Sequence, residues 1–91
     1  MPVLLVTYDI KDDQNRRKVS AVIERRYPKQ VKLSDSCYAI HTALLPVRIF
    51  DELKPFVEVE DQLYVAQLNK PYTGFGPRKT TEWLSDYLPV A

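Results

Sequence analysis

At 91 residues the chain is long enough for one hydrophobic core and too short for two, so a single domain over residues 1–91 is expected. A composition of 45% hydrophobic and 27% charged residues, with a formal net charge of +1, excludes a disordered chain and a coiled coil. One cysteine, Cys37, and one histidine, His41, exclude an internal disulfide and a zinc-ligand set.

Pro2 to Asp9, PVLLVTYD, opens the chain with a continuous apolar run of strand formers, which predicts a central strand with Asp9 at its carboxyl end. Sites in open sheets sit beyond the carboxyl ends of strands, where side chains leave the core while rigid backbone still aims them. The alternative for Asp9 is a turn acceptor. Asp12 or Asp13 then caps a helix whose Val19, Val22, Ile23 and Tyr27 fall in one apolar arc. Arg17, Lys18 and Arg25 fall on the solvent side. Arg16 lies at the edge of the arc, one turn from the helix start and so near Asp9, and Pro28 ends the helix.

Between Lys11 and Lys32 the chain carries eight basic residues against three acidic ones, Asp12, Asp13 and Glu24. Such a segment on a near-neutral protein points to phosphate or to an acidic partner, with Arg16, Arg17, Lys18, Arg25, Lys29 and Lys32 as the candidate contacts.

Gln30 to Leu33 and Ser36 to Thr42 predict two strands around a polar turn. In the second, Cys37, Ala39 and His41 share one face. Cys37 reads as a small packed side chain and His41 as a hydrogen-bonded, partly buried one rather than a general base. Pro46 opens a second helix carrying Ile49, Phe50, Leu53, Phe56 and Val57, with Pro55 at its fraying end. Glu58, Glu60 and Asp61 read as a solvated loop before another internal strand, Gln62 to Asn69. KPYTGFGP, Lys70 to Pro77, is a loop with defined turns, and Arg78 to Leu88 a closing helix with Trp83, Leu84, Tyr87 and Leu88 on one face.

This succession predicts an α+β fold: a ferredoxin-like βαββαβ unit with a four-stranded antiparallel sheet, plus a C-terminal helix. A sheet of this size with one helical face leaves apolar area for a second copy, so a homodimer is expected. The longest apolar runs are far shorter than the roughly 20 residues of a membrane span, and the N-terminus has no secretory pattern. A cytoplasmic protein without membrane contact is therefore expected.

The opening V-T-Y-D-I-K-D-D-Q-N-R-R-K-V resembles the small CRISPR-associated ferredoxin-like family that pairs with the spacer integrase, with Tyr8, Asp9, Asp12, Asp13, Arg16, Arg17 and Lys18 as the matching positions. The ending GFGPRKTTEWLSDYL looks more like the small stand-alone SinR-like proteins that share that fold. The resemblance implies an endonuclease site in which Asp9 meets its two-fold mate and holds magnesium or manganese, with no other cofactor. Tyr8 would shape the pocket, Asp12 or Asp13 would assist, and Arg16 and Arg17 would position the phosphate. Three readings follow: a dimer that interacts with RNA or DNA without efficient catalysis, a metal-dependent endonuclease, and a module binding an integrase-type or other protein partner.

Overall fold

The computed structural model describes residues 1–90, and Ala91 lies outside the described residues. The chain runs β1 (Val3–Asp9), α1 (Asp13–Arg26), β2 (Gln30–Ser34), β3 (Cys37–His41), α2 (Pro46–Leu53) with a 3-10 turn at Lys54–Phe56, β4 (Gln62–Leu68) and α3 (Arg78–Tyr87). The strands form one antiparallel sheet in the order β2-β3-β1-β4.

Alternation along β1 divides the core between the two faces of this sheet. Leu4, Val6 and Tyr8 point with Tyr38 and Ile40 toward α1 and α2, where they bury Val19, Ile23, Ile49 and Leu53. Val3, Val31 and Ala39 point the other way, toward α3, and pack with Leu88 beside the half-buried Trp83, Leu84 and Tyr87. The closing helix thus covers one end of the second face, while Tyr64 and Ala66 of the last strand stay exposed on it.

Local chemistry sets the helix ends. The Asp12 side chain accepts the backbone N–H of Asn15 at 2.9 Å, capping α1, while Arg25 and Arg26 lie in its last turn, where the macrodipole favours cations. Pro46 occupies the first turn of α2, and Pro55 falls in the 3-10 turn that follows. The expected bounds of β2, β4 and α3 shift by one residue at one end and those of β3 by one residue at both, as fraying elements do.

The expectation of an internal strand at Gln62–Asn69 is not met, because β4 takes the outer position beside β1. Side-chain alternation reports which face of a strand is buried. It does not report how many neighbours its backbone has. Only Leu63 of β4 is fully buried, with Val65 and Leu68 half-buried and Tyr64, Ala66 and Gln67 exposed.

Candidate nucleic-acid interface

Helix α1 is fixed to the sheet by hydroxyls of buried tyrosines. The Tyr38 hydroxyl donates to Glu24 Oε2 at 2.5 Å, and the Tyr8 hydroxyl lies 2.8 Å from Ser20 Oγ and donates to the Asp35 carbonyl at 3.3 Å. At the far end of the helix, the Tyr27 hydroxyl donates to Glu52 Oε2 at 2.8 Å, tying α1 to α2. Burial, with the Glu24 carboxylate beside it, pushes the Tyr38 phenol up to about 12, and burial raises Tyr8 and Tyr27 as well. All three stay protonated at neutral pH, so they remain hydrogen-bond donors.

The outer side of α1 carries the charge. Arg17, Lys18 and Arg25 are exposed and make no ion pair among the described residues. Arg17 and Arg25 are separated by eight steps of helix, about 12 Å, so the three cations form a ridge held by a rigid element. Arg16, Arg17 and Lys32 meet in a groove of about 400 Å³ between α1 and β2, together with Glu24 and Asp35. Lys32 Nζ lies 3.7 Å from Asp35 there and Arg16 is paired with Asp13, so of the groove's three cations only Arg17, which also belongs to the ridge, makes no ion pair. Lys29, in the bend before β2, lies apart from the ridge beside Arg26, Tyr27 and His41.

Asp9 sits exposed at the carboxyl end of β1, as the sequence predicts, but its partner is Lys11, whose Nζ lies 3.1 Å from Oδ2. Arg16 is turned elsewhere: its guanidinium donates to the Ile10 carbonyl at 2.9 Å and to the Asp13 carboxylate. The expected Arg16–Asp9 relation is thus replaced by two local contacts. Tyr8 points to the opposite face, into the helix-covered core, because adjacent residues of a strand alternate. Asp12 is used as the helix cap and Asp13 by Arg16, so neither reaches toward Asp9 with a free carboxylate.

Asp61 takes a role that sequence reasoning missed. Its two oxygens accept the backbone N–H groups of Glu58 and Lys11, each at 2.9 Å, so it latches the acidic loop to the end of β1. No signal in the sequence announces a contact between residues fifty positions apart. Those N–H groups, Glu58 first and Lys11 second, hold the Asp61 carboxyl below its usual range. A depressed folded value means the latch contributes fully above the unfolded value and is lost as pH falls through the folded one. Asp61→Ala is expected to lower the melting temperature at pH 7 and to flatten its decline below pH 3.8, read by circular dichroism.

No group of three or more His, Cys, Asp or Glu side chains suited to a metal occurs among the described residues. A hard divalent cation needs about six oxygen ligands. One chain offers the Asp9 carboxylate, already facing an ammonium, so the donor set of a single chain does not fit the expected magnesium or manganese.

Cys37 and His41 lie on the α3 side of the sheet. Burial raises the Cys37 thiol, the opposite of what an activated nucleophile needs. The His41 ring packs 4.6 Å from that of Tyr87, and burial, then the N-terminal ammonium and Lys29, lower its affinity for a proton. Both pack against the closing helix or the sheet, but the hydrogen bond expected of His41 is missing at Nδ1, which is buried without a partner among the described residues. No helix among the described residues is long and apolar enough to cross a membrane. Compared with known proteins, the chain matches no family model and no curated protein.

Proposed function

We propose that this protein is a small dimeric nucleic-acid-interacting protein that holds backbone phosphates on α1 without cleaving them. The observation that carries this reading is the uncompensated ridge of Arg17, Lys18 and Arg25 on a helix anchored from beneath by Tyr8 and Tyr38. Cations that contact phosphate release condensed counterions, which yields affinity without sequence readout. Strand order β2-β3-β1-β4 with α1 and α2 on one face supports a ferredoxin-like arrangement, and through it kinship with the CRISPR-associated and SinR-like proteins. Fluorescence anisotropy with short DNA and RNA over a salt series tests the reading, and binding that is absent at 50 mM salt or insensitive to salt overturns it.

The endonuclease reading assigns Asp9 the metal, and it needs the carboxylate of a second copy to complete the site. The Lys11 contact and the commitment of Asp12, Asp13 and Asp61 to local hydrogen bonds favour the non-catalytic reading. Asp9→Asn is therefore expected to leave nucleic-acid affinity within about twofold and the melting temperature nearly unchanged, since an exposed pair contributes little. Magnesium- or manganese-dependent cleavage of RNA or DNA by the wild type, abolished in Asp9→Asn, would establish the endonuclease instead.

A further inference from the structure

The two edges of the sheet are built differently. β2 has five residues, carries Lys32 and is broken by a register shift between Lys32 and Ser34, the devices that discourage edge-to-edge pairing. β4 has seven residues, QLYVAQL, with no charge or proline and an unbroken register against β1. Nothing in β4 protects its open side.

The phase of its hydrogen bonds follows from β1. The Tyr8 N–H donates to the Ser36 carbonyl on the β3 side, and that of Thr42 to the Pro2 carbonyl, so even-numbered residues of β1 spend their backbone groups on β3. Odd-numbered residues face β4, where Val3, Leu5, Thr7 and Asp9 pair with Leu68, Ala66, Tyr64 and Gln62. Leu63, Val65 and Gln67 are therefore left with their N–H and C=O groups aimed outward. Beside them Pro46, Val47 and Phe50 of α2 form an apolar groove of about 380 Å³ against Leu63 and Val65, with Val47 half exposed at 55%. This edge has both an unpaired backbone and an apolar roof.

We infer that β4 pairs with β4 of a second copy, antiparallel about a two-fold axis through Val65, joining two four-stranded sheets into one of eight strands. Charge selects this occupant and orientation. With Val65 opposite Val65, all seven strand residues find partners, the outward groups of Leu63 meet those of Gln67, and Glu60 at one end of the strand comes opposite Lys70 at the other, whose ammonium gives one of its three N–H groups to the Ser85 carbonyl at 2.9 Å and keeps two for a partner. The two-fold repeats that pairing. A parallel arrangement would set the acidic loop Glu58–Asp61 against itself.

The inference rests on the dimeric part of the proposed function and gives it a seam, leaving α1 uncovered. It also has a consequence for Asp9. Asp9 pairs with Gln62, three residues from the axis and one strand inward, so the two copies of Asp9 stand about 25 Å apart. The seam and a shared Asp9 metal site exclude each other.

Sedimentation equilibrium at tens of micromolar is expected to give twice the 10.6 kDa chain mass. Gln67→Pro removes one outward N–H and no bond to β1, and should yield a folded monomer. Glu60→Lys should raise the dissociation constant about tenfold, because the two-fold repeats the clash, and adding Lys70→Glu should reverse it, with the single Lys70→Glu variant reporting what loss of the Ser85 contact does within one chain. Tyr64→Cys with Ala66→Cys in a Cys37→Ser background places thiols in non-hydrogen-bonded cross-strand pairs, and oxidation should give a covalent dimer. A wild-type monomer would overturn the dimer itself. A dimer that survives Gln67→Pro and resists this crosslink would overturn the seam alone and return the axis to another surface.

Discussion

Replacing Arg17, Lys18 and Arg25 together by alanine is expected to weaken binding to a short DNA or RNA by roughly a hundredfold at 0.1 M salt and to lower the slope of log K against log salt by about two to three units. Each phosphate contact contributes close to one unit of slope, so three lost contacts remove nearly three. The fold should be unaffected, because the three positions are exposed and alanine is the strongest helix former. A second triple variant, Arg48→Ala with Lys54→Ala and Lys79→Ala, removes the same charge from exposed positions elsewhere on the surface. It should change affinity far less. Equal losses in the two variants would mean that net charge, not the α1 ridge, governs binding.

Much of this arrangement could be read from residue order. The apolar arc of Val19, Ile23 and Tyr27 announced which side of α1 is buried, and so which cations face solvent. Trp83, Leu84 and Tyr87 announced a third helix with one packing face. These signals are local, since helical periodicity is carried within a few turns. Relations between distant segments were not legible. That Asp61 latches the start of α1's approach, that Glu24 meets Tyr38, and that β4 is an edge depend on how strands are ordered in space. Arg16 shows the same limit at short range. Its proximity to the end of β1 followed from helix geometry, but periodicity does not say which acceptor a long side chain takes, and Arg16 takes Ile10 and Asp13 while Asp9 pairs with Lys11.

Tyr38→Ala is expected to cost about 3 to 5 kcal/mol of stability in urea unfolding, the cost of emptying a fully buried aromatic site. A chain of this length has roughly 5 to 14 kcal/mol in total, so the variant approaches the unfolding threshold. Tyr38→Phe separates the ring from the hydroxyl. It keeps the packing between Val6 and α1 and loses the bond to Glu24, for about 1 kcal/mol, because the carboxylate released is exposed and can turn to water. The hydroxyl also makes stability sensitive to alkali. A phenol pushed from 10.0 up to about 12 on folding contributes stability that is complete below pH 10 and is lost as pH rises toward 12. The wild type should lose stability steeply across that window. Tyr38→Phe should lose less, though not nothing, since Tyr8 and Tyr27 are raised by burial too. If α1 is held in place by these hydroxyls, then Tyr38→Phe should leave the salt slope of nucleic-acid binding intact, with all cations present, while lowering affinity a few-fold through a looser ridge. An unchanged affinity would show that ring packing alone positions α1.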